Sequence, residues 1–414
     1  MKMRQRLVTE ERVDGVVPTI AFKRLVQPLL GKMLQPAQGS PDETLVLYLK
    51  AGHVGWGRLD LPEELPEMWA TETDIYTLHP KVGDLLICEG GEVGRATVIG
   101  KPLPPTAIVQ NSLHLVRQSQ SADVRYLRYA LEHAALSGWL DILCNKATIA
   151  HLTNDKLRDL RVPFHIGSKQ TRIANFLDEQ TARINALIAE KERLDVLLGE
   201  YRGSLISAAV TGYLDVSAGT AVPKTEKRNE PVTNCQLKHL ASMKSGESIS
   251  SDEILQDGPY PVYGGNGLRG YTGNYTHAQT GPLIGRQGAL CGNVTFVSGA
   301  FWATEHAIVA TPREGVWPRW LFWLLEGLDL NQYSVAAAQP GLAVEALTRV
   351  RTVKPQFSTQ VRIANFLDEQ TARIDDLRNH CREHIALLRE YRSSLISAAV
   401  TGQLDIDSFE KGVA

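Results

Sequence analysis

The chain repeats a long stretch of itself at a fixed distance. QTRIANFLDEQTARI at Gln170–Ile184 returns as QVRIANFLDEQTARI at Gln360–Ile374. YRGSLISAAVTGYLD at Tyr201–Asp215 returns as YRSSLISAAVTGQLD at Tyr391–Asp405. Each copy lies 190 positions further along, without insertion or deletion, and about two thirds of the aligned positions are identical. Such a duplication determines the architecture, and because the segments before the two copies differ strongly, we predict a repeated frame that carries two different modules.

The repeated segment has the spacing of a long helix. Bulky residues recur at alternating intervals of three and four, which indicates a heptad seam. The predicted seam contains Ile173, Leu177, Gln180, Ile184, Leu187, Lys191, Leu194, Leu198, Tyr201, Leu205 and Ala208 in the first copy, and Ile363, Leu367, Gln370, Ile374, Leu377, Cys381, His384, Leu388, Tyr391, Leu395 and Ala398 in the second. Ser168 and Ser358 are candidate N-caps, and Gly212 and Gly402 are candidate stops. Each helix should span about 44 residues, or roughly 65 Å.

Neither helix can bury its seam alone, so the other copy is its expected partner. Polar seam residues such as Lys191 and His384 would lower stability but specify register. The polar linker Ser217–Thr233 reaches about 60 Å at most, so antiparallel pairing, in which a short linker suffices, is favoured over parallel pairing. The alternative is that each helix packs only on its own module.

The two modules have mixed α/β patterns. Module 1 runs from Ile20 to His165 and module 2 from Cys235 to Phe357. The β-like runs are TLVLYLKAG (44–52), GDLLICEGG (83–91) and EHAIVATP (305–312), and the clearest helices are RYLRYALEHAALSGWL (125–140) and RWLFWLLEGLDL (319–330). The predicted fold class is therefore α+β: two α/β domains joined by two long helices in an antiparallel coiled coil, with an internal pseudo-two-fold duplication.

Glycine-rich stretches supply the candidate nucleic-acid contacts of module 2. GDLLICEGGEVGRATVI (83–99) aligns with GPLIGRQGALCGNVTFV (281–297), and glycines four apart in both suggest either a tight hairpin or a contact loop. YPVYGGNGLRGYTGNY (260–275) combines glycines with Asn266 and Arg269, side-chain types that read adenine and guanine, although an ordinary glycine turn has the same composition. The module 2 candidates are Lys244, Asn266, Arg269, Arg286 and Gln287.

Module 1 offers a similar but weaker set of candidates. LKAGHVGWGRLDL (49–61) contains Lys50, Trp56 and Arg58, and the glycine stretch adds Arg95. A tryptophan in such a position is as easily a core anchor, so both interpretations of Trp56 stay open.

Composition excludes several classes of protein. No apolar run is long enough for a membrane span, and the N-terminal residues lack the apolar core of a signal peptide, so we expect a cytoplasmic protein. The five cysteines have no CxxC spacing, which argues against a zinc site and against a disulfide framework. The net charge of −2 gives no global attraction to nucleic acid. No N/D-P-P-Y/F or FxGxG methyltransferase motif and no carboxylate–ExK nuclease cluster is present, so we expect no catalytic residue and no metal site.

The repeated motifs resemble the specificity subunits of type I restriction–modification systems. The resemblance is carried by RIANFLDEQTARI and YRxSLISAAVTGxLD, each present twice, and by YPVYGGNGLRGY, GPLIGRQGALCGNVTFV, LTNDKLRDLRVPF (152–164) and LAVEALTRVRTVKP (342–355). It covers nearly the whole chain.

The resemblance implies a subunit that recognises the DNA sequence and does not catalyse the reaction. Each module would be a target recognition domain that reads one half of a bipartite site on double-stranded DNA, and the coiled coil would set the spacer. Two copies of the methyltransferase subunit, and restriction subunits in the full complex, would be the protein partners in this defence against foreign DNA. The chain itself would take no cofactor, because S-adenosylmethionine and ATP would be bound by those partners.

The near-identical helix ends predict a surface that meets the same partner twice. Its candidate residues are Asn175, Asp178, Glu179 and Arg183 in the first copy, and Asn365, Asp368, Glu369 and Arg373 in the second. The diverged middle, 185–196 and 375–386, needs only to keep its heptad and would act as the ruler between the half-sites.

The predicted division of the chain follows from these patterns. It comprises an N-terminal target recognition domain (1–166), a first helical region (167–216), a linker (217–233), a C-terminal target recognition domain (234–357), a second helical region (358–406) and a tail (407–414). The alternative function is a free-standing coiled-coil scaffold with protein-binding modules. Loop sequences contain no base code, so neither the recognised bases nor the spacer length follows from the sequence.

Overall fold

The computed structural model describes residues 17–119, 121–144, 151–216, 220–221, 232–288, 290–334 and 341–412. They fall into two compact units, residues 1–190 with 384–414 and residues 191–383. Most of the predicted linker and the first 16 residues lie outside the described residues.

Module 1 is a set of short strands packed on helices, as its mixed pattern predicts. Its strands are β1 (Thr19–Ala21), β2 (Pro28–Leu30), β3 (Glu43–Leu49), β4 (Val54–Gly55), β5 (Arg58–Leu59), β6 (Glu67–Thr71), β7 (Leu85–Cys88), β8 (Ala96–Val98), β9 (Ile108–Val109), β10 (Leu113–Val116) and β11 (Arg161–Pro163). Its helices are α1 (Glu72–Leu78), α2 (Val124–Leu136), α3 (Trp139–Cys144) and α4 (Asn154–Asp159). The single helix predicted over 125–140 is wrong, because Gly138 takes a φ of +73° and separates α2 from α3.

The sheets of module 1 bury continuous apolar runs. β2, β10, β7 and β8 form an antiparallel sheet in that order. β3 pairs antiparallel with β6 and parallel with β9. All four residues of β7 are buried, as expected for a short apolar run in a central strand. β1 pairs with β11, so the two chain ends of the module meet.

The long helix α5 follows as Ser168–Thr211, and the strands of module 2 come after it. These strands are β12 (Leu214–Asp215), β13 (Thr220–Ala221), β14 (Val232–Gln236), β15 (Ala241–Ser245), β16 (Tyr260–Gly264), β17 (Gly267–Thr272), β18 (His277–Ala278), β19 (Gly281–Gly285), β20 (Val294–Val297), β21 (Ala300–Ala303), β22 (Ala307–Pro312) and β23 (Arg351–Pro355). The remaining helices are α6 (Pro318–Gly327), α7 (Val344–Thr348), α8 (Phe357–Val400) and α9 (Ile406–Gly412).

Module 2 has the topology of module 1. Its antiparallel sheet β15–β22–β19–β20 matches β2–β10–β7–β8. β16 pairs antiparallel with β17 and parallel with β21, as β3 does with β6 and β9. β14 and β23 close the module as β1 and β11 do. The two modules are therefore copies of one fold, although their sequences have diverged.

The two long helices are each 44 residues long and run antiparallel. In the first unit the beginning of α5, with Ile173 and Leu177, shares a buried core with Leu395 and Ile396 near the end of α8. In the second unit the end of α5 shares a core with the beginning of α8. The predicted fold class, helix length and helix orientation are confirmed, and Gly212 and Gly402 follow the helices with φ of +78° and +71°.

The predicted heptad phase is wrong in the middle of the coil. Leu187, Leu194, Tyr201, Leu377, His384 and Tyr391, which were expected in the seam, are exposed. The inward positions are Ile188, Asp195, Arg202, Arg378, Ile385 and Arg392, each one residue later. From one seam residue to the next, the predicted phase steps three residues and then four, and the observed phase steps four and then three. Both have a mean spacing of about 3.5 residues, so the sequence pattern alone cannot distinguish the two phases.

The observed seam is partly ionic. Arg378 Nε donates to Asp195 Oδ1 at 2.8 Å, and Arg382 Nη2 lies 3.4 Å from Asp195 Oδ2. Arg202 Nε lies 3.2 Å from Asp375 Oδ1. Ion pairs within a seam specify register more than they add stability.

A short helix, α9 (Ile406–Gly412), forms at the predicted tail (407–414). Phe409 of α9 packs edge-on against Phe176 of α5, with ring centroids 5.2 Å apart. Arg172 forms an ion pair with Asp407. The first turns of α5 are thus covered by the chain's own last helix.

Candidate nucleic-acid interface

The glycine-rich hairpins of module 2 cross each other at close range. The β16–β17 hairpin turns at Gly265, and β19 ends at Gly285. A Cβ at Gly285 would lie 2.2 Å from the carbonyl oxygen of Gly265, which no other residue type could tolerate. The crossing brings Asn266 and Arg269 to the same edge as Arg286 and Gln287.

The side chains of this edge differ in how they are held. Asn266 and Arg269 are exposed, and Arg269 lies across Gly264. Gln287 is also exposed, and its Oε1 accepts a hydrogen bond from His306 Nδ1 at 2.9 Å. Arg286 is half-buried, and its carbonyl accepts from Leu342 N. Lys244 lies in the sheet, on β15 opposite Val309, and is exposed.

The candidates of module 1 are tied to carboxylates. Trp56 is half-buried against the core of the first unit, and its Nε1 donates to Glu92 Oε1 at 2.6 Å. Arg95 Nη1 lies 3.2 Å from Glu92 Oε2, and its Nη2 donates to the carbonyl of Ala51 at 2.9 Å. Of the two interpretations of Trp56, this packing favours the core anchor. Arg95 acts as a brace of the loop.

Lys50 and Arg58 remain at the surface of module 1. Both are exposed, and Arg58 Nε donates to Asp60 Oδ2 at 2.7 Å. An exposed pair of this kind is weak, so a phosphate or a base edge could displace Asp60 at little cost. The structure therefore brings four of the five module 2 candidates to one edge, and in module 1 leaves two of four accessible.

The second glycine of each aligned pair has a structural role. Gly94 and Gly292 take φ of +78° and +95°. A Cβ at Gly94 would lie 2.3 Å from Leu140 Cδ1, and one at Gly292 would lie 2.5 Å from Asn331 N. These glycines face their own module's interior, so the tight-hairpin interpretation holds for them.

The chemistry available at these edges is hydrogen bonding and charge. Amide and guanidinium groups such as those of Asn266 and Arg269 match base edges and phosphates. No group of three or more His, Cys, Asp or Glu side chains that could hold a metal ion occurs among the described residues. Within the same residues, no helix is long and apolar enough to cross a membrane.

The repeated helix ends present the same exposed stripe twice. Asn175, Glu179 and Arg183 follow one face of α5 at intervals of four and are exposed, as are Asn365, Glu369 and Arg373 on α8. Within each stripe the arginine pairs with the glutamate, at 2.7 Å in α5 and 2.6 Å in α8.

The aspartates of the repeat point the other way. Asp178 accepts from Arg125 Nη1 at 3.0 Å and from the Tyr129 hydroxyl at 2.9 Å. Asp368 accepts from Arg319 Nε and Trp323 Nε1, both at 2.8 Å. Each aspartate therefore holds a module helix.

A motif in α2 and α6 was missed by the sequence analysis. RYLRYALE (125–132) and RWLFWLLE (319–326) share an arginine, an aromatic residue four positions later and a glutamate three positions after that. Aligning the two predicted helices would have revealed it. Glu132 Oε1 lies 2.5 Å from Arg392 Nη1, and Glu326 Oε1 lies 3.4 Å from Arg202 Nη1. Arg202 and Arg392 are the same position of the long-helix repeat.

Burial and ion pairing shift several pKa values around these helices. Burial raises the pKa of Tyr129 to about 12, so its hydroxyl stays a donor at neutral pH. A hydrogen bond from Arg378, reinforced by the charges of Arg378 and Arg382, holds the pKa of Asp195 below its usual range. The seam carboxylate is therefore ionised at neutral pH.

Comparison with known proteins places this architecture. The family model "Type I restriction modification DNA specificity domain" matches residues 229–386. Over 137 residues the chain is 42% identical to the EcoprrI specificity subunit of Escherichia coli, a type I restriction enzyme, and the match covers 32% of this chain and 34% of that protein. Over 118 residues it is 27% identical to a type I restriction enzyme specificity subunit of Haemophilus influenzae, covering 28% and 31%. The chain thus spans about a third of the length of these two relatives.

Two solved structures share the fold over nearly the whole chain. One, described as the structural basis of complex assembly and conformational transition of the type I R-M system, aligns with a TM-score of 0.66 at 14% identity and covers 94% of this chain and 99% of that one. The HsdS subunit of Thermoanaerobacter tengcongensis aligns with a TM-score of 0.52 at 14% identity, covering 94% and 97%. The class defined by this fold is a duplicated pair of α/β modules on two antiparallel helices.

The family comparison agrees with the fold. The resemblance to the specificity subunits of type I restriction–modification systems is confirmed by the family model and by the relatives, and the two solved structures share the fold.

Proposed function

We propose that this chain is the DNA-recognition subunit of a type I restriction–modification complex. Residues 1–166 and 234–357 are its target recognition domains, and each reads one half of a bipartite site. The helical regions 167–216 and 358–406 set the distance between the half-sites and bind two methyltransferase subunits. Restriction subunits join that core. The chain contributes no catalytic residue and no cofactor, whereas S-adenosylmethionine and ATP are bound by its partners in the cytoplasm.

The twice-repeated exposed stripe carries the proposal. Both copies have had the same time to diverge, and the middle of the helices has diverged freely. Buried residues such as Ile173 and Ile363 are retained by packing, but packing does not explain the identity of exposed Asn175, Glu179 and Arg183 with their counterparts. Identical exposed residues at pseudo-two-fold positions suit two copies of one partner.

The two modules suit a reading role. They share one topology, yet their surface loops differ, which is expected when a common scaffold presents different recognition residues. Asn266, Arg269, Arg286 and Gln287 are the base-contact candidates of module 2, and Lys50 and Arg58 are those of module 1. Because the net charge is −2, much of the attraction to phosphate has to come from the partner.

The partner surface is tested with a charge reversal on both stripes. Glu179→Lys with Glu369→Lys should abolish binding of two methyltransferase subunits while the chain stays folded. The control is Glu190→Lys with Glu383→Lys, which makes the same charge change at exposed positions of the diverged middle. Analytical ultracentrifugation gives the stoichiometry. Full binding by the stripe variant, or equal loss in the control, would contradict the proposed surface.

The reading role is tested by methylation mapping in cells that carry the complete system. Exchanging module 2 for that of a relative should change one half of the methylated motif and leave the other. Inserting one heptad into both helices lengthens the coil by about 10 Å, so the spacer should grow by about three base pairs. A chain that binds neither DNA nor methyltransferase would instead support the scaffold alternative.

A further inference from the structure

The motif shared by α2 and α6 places three side chains on one helix face. Arg125, Tyr129 and Glu132 stand at intervals of four and three, and Arg319, Trp323 and Glu326 repeat that spacing. Residues at these intervals lie above one another on a helix. The same face is therefore presented by both modules, although the intervening residues differ.

The first two members of the motif bind the long helix that follows the module in the chain. Arg125 and Tyr129 bond Asp178 of α5, and Arg319 and Trp323 bond Asp368 of α8. The chain connection already holds each module near that helix, so these bonds set its rotation.

The glutamate binds the other long helix. In the first unit Glu132 pairs with Arg392 of α8, and in the second unit Glu326 pairs with Arg202 of α5. In both units this is the long helix that does not directly follow the module in the chain, so no short loop holds it there. Each module helix thus bridges both members of the helix pair.

The surroundings of the two pairs differ in burial. The Glu132 and Arg392 side chains are 4% and 16% exposed, and the buried Arg128 also lies 3.3 Å from Glu132. The Glu326 and Arg202 side chains are 29% and 23% exposed. Buried ion pairs add little net stability compared with apolar contacts, but they penalise any geometry that separates them. The presence of the ion pair in both units therefore indicates that it fixes the position of each module on the long helices.

We propose that Glu132 and Glu326, here named the bridging glutamates, are positioning residues that hold each module against both long helices of its unit and so determine which spacer length the chain accepts between the half-sites. This inference rests on the proposed function, because it assigns spacer selectivity to these two ion pairs in addition to coil length. A transplanted module would keep the native spacer only if it retains its glutamate.

The first experiment needs no DNA. Hydrogen–deuterium exchange is measured on the full chain for wild type, for Glu326→Gln and for Lys23→Gln, which breaks the exposed Lys23–Asp159 pair. Glu326→Gln should raise amide exchange about tenfold in α6 and in the end of α5, and Lys23→Gln should leave both unchanged. Glu132→Gln should act more strongly on α2 and the end of α8, and if it fails to fold, the Glu326 variant still decides.

The second experiment reads the spacer. In complex with the methyltransferase, Glu326→Gln should keep both half-sequences but add motifs whose spacer is one base pair longer or shorter. Exchanging the two charges, Arg202→Glu with Glu326→Arg, should restore a single spacer length. The exchange is made together with Asp375→Asn, because Asp375 otherwise repels a glutamate at position 202. If the two side chains acted only through packing, the exchange would not restore the spacer.

The outcomes separate this inference from the proposed function. If Glu326→Gln matches Lys23→Gln in both exchange and spacer, the bridging role is wrong. If the wild-type complex methylates no bipartite site, the proposed function fails, and the exchange comparison alone decides whether the glutamates hold the modules.

Discussion

The choice between the two heptad phases of the coil can be tested at adjacent residues of α8. His384 belongs to the seam expected from the sequence, and Ile385 belongs to the seam that the structure shows. Ile385 is 8% exposed, whereas His384 is exposed. Substituting each by alanine therefore asks which phase the folded chain uses.

The expected cost follows from what each substitution removes. Ile385→Ala deletes three buried carbon groups, each contributing about 0.8 kcal/mol, which gives roughly 2.4 kcal/mol before any cavity term. With that term the loss should be about 2–4 kcal/mol. His384→Ala removes an exposed side chain and should stay within about 0.5 kcal/mol.

Local amide exchange is the suitable assay. A chain of two compact units need not unfold in one step, so a global midpoint could hide the effect. A loss of about 3 kcal/mol should speed exchange in the middle of α8 about a hundredfold, since about 1.4 kcal/mol corresponds to tenfold. If His384→Ala produced the larger acceleration, or if Ile385→Ala produced none, the observed phase would be refuted.

Three further predictions concern single side chains. Tyr129→Phe removes the hydroxyl bonded to Asp178 and should lower the free energy of local unfolding of the first unit by about 1–2 kcal/mol. Amide exchange in α2 measures this loss, and unchanged exchange would mean that water replaces the bond. Burial lowers the pKa of His114, so folding favours its neutral form, and the free energy of unfolding should fall as the pH drops below about 6.5, the ordinary His pKa. In urea titrations at pH 7.5 and 5.5, His114→Gln should reduce this difference in stability between the two pH values. An unchanged difference would contradict the role of His114 in it. The pKa of Asp195 is lowered by Arg378, so its ion pair stabilises the folded chain above the ordinary Asp pKa, and this stabilisation is lost as the pH falls through the lower folded pKa. In thermal melts between pH 5 and pH 3, Asp195→Asn should therefore lose less stability than the wild type. A variant that loses as much stability as the wild type would contradict this prediction.

The sequence by itself determined the parts of the fold that depend on local periodicity and chain length. The repeat at a constant offset, the apolar spacing and the glycines after it predicted two 44-residue helices. The linker length then selected the antiparallel arrangement, because loop closure limits where a chain of that length can return. The β-like run 83–91 correctly predicted a strand, which the structure places at Leu85–Cys88.

Tertiary structure decided which side of each helix faces inward. Leu187 and Ile188 are both apolar, as a seam residue must be, so only the shape of the packed partner selects Ile188. Tertiary structure also decided the role of Asp178. Its presence in the repeat predicted an exposed partner-docking residue, but its carboxylate accepts hydrogen bonds from Arg125 and Tyr129 of its own module.

Long-range partners explain the remaining differences. Glu132 and Arg392 are 260 positions apart, and no local pattern relates their side chains. Trp56 was ambiguous because a tryptophan suits a core as well as a nucleic-acid surface, and its hydrogen bond to Glu92, 36 positions further along the chain, could not be read from the local pattern. Pattern reasoning identifies periodic elements, whereas contacts between distant charges emerge only when the chain is packed, because their free energy depends on burial and geometry that no single segment contains.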